Sequence, residues 1–509
     1  MRKLKTLISK NFIWFTLLLL VQIAYIIVFA FYLAENLPLV NIAVRAIALI
    51  FVIYILDRPM NPAYKIAWII PILTVPIFGM SIYLLLRRHA LSHKNRKLLE
   101  RSEMAMKKYL IQDNALVKSL SNSAKKQAKK IFASAYAPAA VSQNVEYFDS
   151  GEKYFERLIH CLKKAEKFIF LEFFIIDEGT LWDEIKKILE YKACHGVDVR
   201  LIYDDLGSQS TAPRSLARDL RKIGIKTYKF NPYRPLFNVQ MNNRTHRKMV
   251  IIDGFTAFTG GVNIADEYVN RIQPFGHWKD AGIMFTGKGV DTFTLAFLKL
   301  WNMRFEVRNY ASFLGLVNEK TDTENSVGKT AIIPFTDMPS DKENVTEDMY
   351  LQLIYSAEKY VYFFTPYLII DNEMRTALIT AQKSGVDVRI VVPHIPDKKI
   401  VFELTKVFYS ELVENGIKVY EYTDGFIHSK VALADTNAAY VGTCNLDYRS
   451  LFLHLECGVY IDGGEVCKKI HEDFFKTFEK SHEVTLSEVK KGKVRSFWHR
   501  FLRMFAPLM

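Results

Sequence analysis

The sequence predicts an α/β protein with two similar halves around a pseudo-twofold axis, preceded by N-terminal transmembrane helices. Long apolar runs fill most of the first 90 residues, which is typical of helices that cross a bilayer. From residue 145 onward, continuous apolar strands alternate with helical stretches, as in sheets covered on both faces. The same strand–helix unit returns later in the chain, which indicates a duplicated fold.

The composition of the chain indicates the charge of its partner and the redox state of its compartment. The 509 residues carry 68 Lys and Arg against 54 Asp and Glu, a formal charge of +14, and the mean hydropathy is +0.04. Such a basic excess suits an anionic partner, either nucleic acid or an acidic membrane surface. The five cysteines are an odd number without a C-x-x-C pair, which argues against a disulfide framework or a zinc site and favours a reducing compartment.

The membrane segments lie in residues 1–90, as apolar runs at 11–33, 37–56 and 64–86. The first run is long enough to span a bilayer and too long for a signal peptide. The third contains Pro71, Pro76 and Gly79, so it forms either a proline-containing spanning helix or a re-entrant segment. The alternative, buried helices of a soluble core, fits three successive runs poorly. Basic residues cluster at both ends of the apolar region, and each cluster favours a cytoplasmic position for its end. Two cytoplasmic ends require an even number of spans, which conflicts with three apolar runs. The cluster after the third run is denser, which favours a cytoplasmic position for the body of the protein.

The remaining chain divides into five parts. A basic helical connector is predicted at 91–144, the first half at 145–310, a linker at 311–332, the second half at 333–485 and a basic amphipathic tail at 486–509. The connector either rests on anionic headgroups or is a solvated helix. The tail places Phe497, Phe501 and Phe505 four residues apart between arginines, which predicts an interfacial helix or a terminal helix docked on the body.

The duplication is visible in matched segments. The apolar strand at 165–176 is followed by a helical stretch and the strand at 196–205, and the same succession occurs at 357–370 and 385–393. A third pair of related strands lies at 223–230 and 415–422. Each half is therefore expected to contain one copy of the same βαβ unit.

A polar motif at the edge of a buried strand occurs once in each half. In both copies lysine follows histidine by two residues, aspartate by seven, glycine by fourteen and asparagine by seventeen. The first copy is His246, Lys248, Asp253, Gly260 and Asn263, and the second is His428, Lys430, Asp435, Gly442 and Asn445. Gly261 aligns with Thr443. One H-x-K is usually a surface strand end, but two copies in register make coincidence improbable.

These residue types suit a phosphodiester. Alternation along a strand puts the histidine and lysine of each motif on one face, and a pseudo-twofold axis brings the two pairs to one pocket. The lysines and the asparagine amides can hold non-bridging oxygens, while one imidazole attacks phosphorus and the other protonates the departing alkoxide. Gly260, Gly261 and Gly442 are expected to let the backbone approach the phosphate, and Thr443, beside Gly442, is expected to bind substrate. No phosphate-binding lysine loop or clustered metal site is evident, so we expect no metal and no cofactor.

Each histidine also needs a group that fixes its tautomer. Asp280 lies 34 residues after His246, and Glu456 lies 28 residues after His428. Both carboxylates are equally compatible with a surface or ion-paired position. Asp253 and Asp435 belong to the candidate catalytic motifs, and we expect them to pair with lysine or to anchor the turn after the strand.

The two H-x-K-x4-D motifs resemble those of the phospholipase D superfamily. The hydrophobic N-terminus and the stretches YDDLGS, MNNRTHRK, GGVNIADEY, TPY, DGFIHSK and GTCNLDYRS are similar to bacterial cardiolipin synthases, from about residue 56 to the C-terminus. Members of that family usually have two hydrophobic segments, so the first run looks like an addition. Cys444 stands where the family usually has alanine, and His454 stands where it usually has asparagine.

The resemblance implies a cardiolipin synthase reaction. Two phosphatidylglycerols, one donor and one acceptor, would give cardiolipin and glycerol through a phosphatidyl-histidine, at an anionic bacterial cell membrane and without nucleic acid. We favour His246 as nucleophile and His428 as acid and base. The alternatives are a membrane-tethered phosphodiesterase that cuts phospholipid or nucleic acid, and a non-catalytic lipid-binding scaffold, which would not need two complete motifs. The oligomeric state stays open.

Overall fold

The computed structural model describes residues 38–86, 93–232, 243–315, 330–339 and 343–490, together with isolated positions near the two termini. Its described part divides into an N-terminal unit within residues 1–89 and a larger unit that begins at residue 90. The first apolar run of the sequence and most of the predicted C-terminal tail lie outside the described residues.

The N-terminal unit contains three apolar helices, α1 Pro38–Leu56, α2 Pro62–Thr74 and α3 Pro76–Leu86. α1 has 19 residues, a hydropathy of 2.5 and only 17% of its apolar window buried. Among the described residues it is the one helix long and apolar enough to cross a membrane. The second apolar run therefore forms the helix that the sequence predicts.

The third apolar run is divided between α2 and α3, so of the two forms expected there the single proline-containing spanning helix does not form. These helices have 13 and 11 residues, and at about 1.5 Å per residue neither reaches the roughly 30 Å of a hydrocarbon core. The helices separate at Val75, where φ is −133°, directly before Pro76, which has no N–H for a helical hydrogen bond. A Cβ on Gly79 would lie 2.5 Å from backbone atoms of Pro71 and Ile72, so α3 folds back directly onto α2.

The larger unit begins with α4 His93–Lys107, α5 Asn114–Ser119 and α6 Asn122–Ala135. Asp113 and Ser121 cap the N-termini of α5 and α6 through their side-chain oxygens, as short polar residues commonly do. A three-residue strand, β1 Ala140–Ser142, follows. The predicted connector is thus mainly helical.

The first half consists of one sheet with helices around it. Its elements are β2 Val145–Phe148, α7 Gly151–Lys164, β3 Phe168–Phe173, α8 Thr180–Cys194, β4 Asp198–Asp204, α9 Leu216–Lys222, β5 Lys226–Phe230, β6 Met249–Ile252, β7 Thr256–Gly260, β8 His277–Lys279, β9 Gly282–Thr286 and α10 Val290–Trp301. The strand order is β2-β9-β7-β6-β3-β4-β5, with β3, β4 and β5 parallel. Every residue of β3 is buried, as its continuous apolar sequence predicts.

The second half repeats this arrangement. Its elements are β10 Thr330–Asp337, α11 Val345–Ser356, β11 Tyr360–Phe364, β12 Leu368–Ile369, α12 Asn372–Lys383, β13 Asp387–Pro393, α13 Lys399–Glu414, β14 Lys418–Tyr422, β15 Gly425–Ile427, β16 Val431–Ala434, β17 Ala438–Gly442, β18 Leu446–Asp447, α14 Tyr448–Phe452, β19 Glu456–Asp462, α15 Gly464–Glu479, β20 Ser481–Glu483 and α16 Leu486–Val489.

The two sheets have the same strand order. The run β10-β19-β17-β16-β11-β13-β14 matches the first sheet strand for strand, with β1 added at one edge and β20 at the other. β1 lies in the predicted connector, yet it pairs antiparallel with β10 of the second half. The prediction of two similar α/β halves is confirmed.

One hydrophobic core joins the halves. It contains inward-facing residues of both sheets, among them Ile251 and Leu433, together with Phe297 of α10 and Phe474 of α15. A second core lies under α7 and α8 on the other face of the first sheet. Because the sheets share a core, strands of one half come close enough to pair with segments of the other.

Backbone hydrogen bonds cross between the halves at two places. β8 of the first half pairs in parallel with β15 of the second, and the His428 amide donates to the Lys279 carbonyl at 2.7 Å. The symmetric contact is a parallel bridge between Thr245 and Leu455, where the His246 amide donates to the Leu455 carbonyl at 2.9 Å. Each motif histidine is therefore bonded through its own amide to the opposite half.

Candidate active site

The motif histidines and lysines lie just before the strands that the sequence predicts. His246 and Lys248 precede β6, and His428 and Lys430 precede β16. All four side chains are buried. The Lys248 Nζ donates to the His246 carbonyl at 2.8 Å, and Lys430 makes the equivalent bond to the His428 carbonyl. The two motifs have the same local geometry.

Each imidazole is held by a carboxylate of the opposite half. The His246 Nδ1 lies 2.9 Å and 3.1 Å from the two carboxylate oxygens of Glu456. The His428 Nδ1 lies 2.7 Å from the Asp280 Oδ2. Both carboxylates act on a histidine, but each serves the motif of the other half, because the backbone contacts between halves bring them there.

This contact fixes the tautomer of both rings. An ionised carboxylate only accepts hydrogen bonds, so Nδ1 of each neutral imidazole carries the proton. Nε2 then has a free lone pair, and the carboxylate stabilises the imidazolium that forms when Nε2 takes up a proton or phosphorus. The arrangement supplies two imidazoles with nucleophilic or basic Nε2 atoms.

Burial dominates the ionisation of the imidazole in each half. It lowers the pKa of His428 to about 3 despite the opposing charge of Asp280, and it lowers the pKa of His246 well below the usual range despite Glu456. Burial alone would raise the pKa of Glu456, but the interactions with His246 and His454 together outweigh it and the pKa is lowered. The pKa of Asp280 is lowered in the same way, against burial, by His428 and then Lys430.

The lysine ammonium groups are also destabilised by burial. It lowers the pKa of Lys248 to about 8, although Glu456 and Asp280 oppose it. It lowers the pKa of Lys430 to about 7, with Lys248 adding a repulsion between like charges. This repulsion indicates that the two lysines lie near each other in the protein interior. A bound phosphate charge would stabilise both ammonium groups.

Asp280 and Glu456 occupy equivalent positions in the two sheets. Gly260 pairs with Gly282 and Gly442 pairs with Gly458, and each carboxylate lies two residues before the second glycine of its pair. The signal in the sequence is therefore an acidic residue followed by x-Gly at the start of a strand, as in DAG and ECG.

The motif glycines make room for protein atoms. A Cβ on Gly260 would lie 2.4 Å from the Ala281 carbonyl oxygen, and Gly260 has a φ of +154°. A Cβ on Gly442 would lie 2.2 Å from the Tyr440 hydroxyl and 2.6 Å from the Cys457 carbonyl oxygen. The neighbouring strands therefore require glycine at both positions, and an approach of the backbone to a phosphate there stays a prediction.

Thr443 and Gly261 both face an orienting carboxylate. The Thr443 hydroxyl donates to a carboxylate oxygen of Glu456, so its position favours a role in holding Glu456 over the predicted contact with substrate. At the aligned Gly261, a Cβ would lie 2.0 Å from the Asp280 Oδ1. The second half has space for a hydroxyl at this point, and the first half does not.

The two asparagines are buried in their loops. The Asn263 Oδ1 accepts from the Ile175 amide at 3.0 Å, and its Nδ2 donates to the Tyr268 hydroxyl at 2.7 Å. The Asn445 Nδ2 donates to Asp447 at 3.0 Å, while its Oδ1 has no hydrogen-bond partner among the described residues. Contact of either amide with a phosphate stays a prediction.

Asp253 and Asp435 lie at the far ends of β6 and β16, outside the group formed by the histidines and lysines. Asp253 accepts from the amides of residues 166–168 at 2.7 to 2.9 Å. Asp435 accepts from the amides of residues 358–360. Both residues have positive φ, 54° and 51°. The structure places them as anchors of the turn, as one of the two expectations had it, and it shows no pairing with the motif lysines.

Aromatic rings and a further histidine surround the imidazoles. The His246 ring lies 5.1 Å from Phe174 and 5.3 Å from His454, centroid to centroid. The His428 ring lies 5.3 Å from Trp278 and 5.4 Å from Tyr268. None of these four was among the predicted site residues, because each comes from a loop or strand remote from its motif in sequence.

His246, His454 and Glu456 also form the one group in the described part of the chain that could hold a metal ion, with one ligand atom from each within 4.8 Å of the others. In the sequence, 208 residues separate the two histidines. The cluster was therefore not evident from spacing.

Two protein-family models match parts of this chain. Residues 158–273 and 350–478 match the model described as cardiolipin synthase, PLD-like domain. Residues 46–88 match the N-terminal segment of the phospholipase D-nuclease family. The first match covers the greater part of both halves, and the second covers the C-terminal part of α1 and all of α2 and α3.

Curated relatives align along almost the whole chain. An uncharacterized protein of Streptococcus mutans is 40% identical over 463 residues, covering 90% of this chain and 99% of its own. A cardiolipin synthase of Alkalihalophilus pseudofirmus is 32% identical over 478 residues, covering 92% and 93%. One of Geobacillus thermodenitrificans is 31% identical over 481 residues, again covering 92% and 93%.

A solved structure shares the fold. The phosphatidylserine synthase of Haemophilus influenzae aligns with a TM-score of 0.56 and 14% identity, covering 76% of this chain and 98% of its own. At that identity the likeness concerns the arrangement of helices and strands alone.

Proposed function

This chain belongs to the cardiolipin synthase family with phospholipase D-like domains, and on that premise we propose that it transfers a phosphatidyl group from one phosphatidylglycerol to another, giving cardiolipin and glycerol. The enzyme is a phosphatidyltransferase of phospholipid biosynthesis. The observation that carries the proposal is the pair of buried imidazoles whose Nδ1 atoms bind carboxylates of the opposite half. This leaves two Nε2 atoms for a two-step transfer.

In the first step the Nε2 of one histidine attacks phosphorus of the donor lipid. The bond between phosphorus and the headgroup glycerol oxygen breaks. The opposite histidine gives its Nε2 proton to that oxygen; it holds this proton in the complex because the negative charge of the bound phosphate stabilises the imidazolium. We assign the attack to His246 and the proton to His428, as the sequence favours. The products are glycerol and a phosphatidyl-histidine in which the bond to Nε2 replaces the bond to glycerol.

In the second step a terminal headgroup hydroxyl of the acceptor lipid gives its proton to His428 and attacks phosphorus. The bond to His246 breaks, and cardiolipin leaves. His428 again holds the proton that it gave up, so the cycle closes. Lys248 and Lys430 stabilise the charge on the non-bridging oxygens in both steps, and Glu456 stabilises the cationic ring of the intermediate.

The lipid substrates and the membrane fit the rest of the molecule. α1 exposes apolar side chains along its length, for instance Leu39, Ile42 and Ile50, which suits insertion into a bilayer. The formal charge of +14 suits a surface of anionic lipids. We propose a multi-pass protein of the bacterial cell membrane with its catalytic unit on the cytoplasmic side.

A product assay tests the reaction. The purified full chain in detergent is given phosphatidylglycerol labelled in the headgroup glycerol, and the lipids are separated by chromatography. We expect one labelled glycerol released for each cardiolipin formed, with or without EDTA. Phosphatidic acid without cardiolipin would instead indicate hydrolysis. Cleavage of DNA without lipid turnover would indicate a nuclease, and strict dependence on a metal ion would contradict the two-histidine mechanism.

A further inference from the structure

We propose that His246, His454 and Glu456 form a binding site for a divalent transition metal ion of the zinc class, and that the bound ion inhibits the enzyme. The metal-binding site itself is inferred from the positions of these three side chains and does not depend on the proposed function. Its inhibitory effect rests on the proposed function, because it acts through the Nε2 atom that attacks phosphorus.

The spacing of the donor atoms suits a tetrahedral ion. Ligands at about 2.0 to 2.1 Å from zinc lie roughly 3.3 to 3.4 Å apart in a tetrahedron. The Glu456 Oε1 lies 2.9 Å from the His246 Nδ1 and 3.8 Å from the His454 Nδ1, so these distances bracket the required edge. The ligand atoms of the three residues all lie within 4.8 Å of one another, so a small rearrangement of the side chains brings them around one ion, and a fourth position stays open to water.

One ligand is already free to bind. The His454 Nδ1 is buried and has no hydrogen-bond partner among the described residues, and its side chain is only 9% exposed. An unsatisfied buried nitrogen beside a carboxylate gains a partner when an ion enters. The other carboxylate oxygen of Glu456, Oε2, keeps its bond from the Thr443 hydroxyl, which orients the ligating oxygen.

Metal binding changes the tautomer of His246. In the metal-free site Nδ1 carries the ring proton and Nε2 carries the lone pair. An ion on Nδ1 uses the lone pair of that atom, so the single ring proton of the neutral imidazole moves to Nε2. No proton needs to leave the ring, but Nε2 now has no lone pair with which to attack phosphorus. The His428 Nδ1 is hydrogen-bonded to Asp280, and Asp280 is not one of the three proposed metal ligands.

The donor set selects the class of ion. Two imidazole nitrogens and one carboxylate oxygen suit Zn²⁺, Ni²⁺ and Cu²⁺. Mg²⁺ and Ca²⁺ prefer shells of oxygen ligands, so millimolar amounts of either are expected to leave the site free.

A binding experiment tests the site apart from catalysis. The full chain in detergent is dialysed against Zn²⁺ and the bound metal is measured per chain, for the wild type and for His454→Asn. Asparagine keeps a polar side chain at this position, and its amide is a poor zinc ligand. The matched control is His195→Asn, because His195 lies next to the exposed Cys194 and this surface pair could bind zinc independently of the buried cluster.

We expect His454→Asn to lose one bound zinc per chain and His195→Asn to keep the buried site. Equal zinc content in the wild type and His454→Asn, with or without the surface pair, would overturn the proposed site.

An activity experiment tests the inhibitory effect. Cardiolipin formation is followed as Zn²⁺ is added, and the concentration for half inhibition is compared between the same three proteins. We expect half inhibition to need about tenfold more Zn²⁺ or greater in His454→Asn, and EDTA to restore the wild type. Equal sensitivity would refute inhibition through this site. If zinc binds through His454 but the protein makes no cardiolipin at all, the proposed function fails and the metal site stands.

Discussion

At the scale of single residues, the two motif histidines differ in their surroundings although their backbone geometry is the same. Glu456 contacts His246 and Thr443, with His454 at 3.8 Å. Asp280 contacts His428 and the Ala281 amide. Glu456 is thus held by a side-chain hydroxyl and Asp280 by a backbone amide, and the carboxylate beside His246 also has a second histidine near it.

Replacement of either histidine is expected to abolish cardiolipin formation. His246→Ala removes the atom that attacks phosphorus, and His428→Ala removes the proton donor and acceptor, so each should lower kcat by about 10³-fold or more. The rate of cardiolipin formation is measured for both, with the surface variant His195→Ala as control. Full activity in either active-site variant would refute the two-histidine mechanism.

Conservative variants of Glu456 and Asp280 test whether these carboxylates fix the tautomers of the two histidines. Glu456→Gln and Asp280→Asn keep the side-chain size but offer an amide to the imidazole, which favours the wrong tautomer. We expect kcat to fall by about 10²- to 10⁴-fold with a much smaller change in KM. A fall confined to KM would show that these residues bind substrate and do not orient the histidines.

The lysines predict the pH dependence of the reaction. Folding lowers the pKa of Lys248 to about 8 and that of Lys430 to about 7, from 10.5, through burial. The ammonium form that binds phosphate is therefore lost from the free enzyme as the pH rises through 7 to 8. We expect kcat/KM for phosphatidylglycerol to decline over that window, while kcat falls at higher pH, because bound phosphate stabilises the charge. A kcat/KM that stays constant to pH 10 would contradict this role.

At the scale of elements, the sequence predicted the strands that carry the motifs, because their apolar runs are local signals. It did not predict which carboxylate serves which histidine. His246 and Glu456 are 210 residues apart, and pairing across such a distance depends on how two sheets dock. The division of the third apolar run at Val75 and the close approach of α3 at Gly79 likewise depend on packing that periodicity does not reveal.

The motif aspartates are expected to contribute to stability through the turn. Asp435 binds three amides at the start of β11, and Asp435→Ala also places alanine at a positive φ. We expect Asp435→Ala to cost about 2 to 3 kcal/mol, measured as a lower Tm in detergent. Asp435→Asn, which tolerates the positive φ, is the control and should lose less. A loss of activity without a change in Tm would assign Asp435 a chemical role instead.

At the scale of the whole molecule, a buried ion pair helps to join the halves. The Lys279 Nζ of the first half lies 2.6 Å from the Asp473 Oδ1 of α15, and the Tyr147 hydroxyl donates to the other oxygen of Asp473 at 2.7 Å. Lys279 immediately precedes Asp280 in sequence. The ion pair thus secures the segment that delivers a carboxylate to His428.

Loss of this ion pair should weaken the docking of the halves. Asp473→Ala leaves the buried Lys279 ammonium without its carboxylate, at a cost of about 3 to 5 kcal/mol in the free energy of unfolding. The control Tyr147→Phe removes one hydrogen bond to the same carboxylate and should cost about 1 kcal/mol. Thermal unfolding of the two variants is compared with the wild type. Equal Tm values for Asp473→Ala and Tyr147→Phe would show that the ion pair contributes little.

The exchange of carboxylates between halves also affects the enzyme while it is being made. The first half leaves the ribosome with its histidine and lysine in place, but Glu456 is translated 210 residues after His246, roughly 10 to 40 s later at bacterial elongation rates of about 5 to 20 residues per second. During that interval the imidazole has no group to fix its tautomer. A nascent chain already inserted in the membrane is therefore catalytically silent toward the lipids around it until the second half has been synthesised and docked.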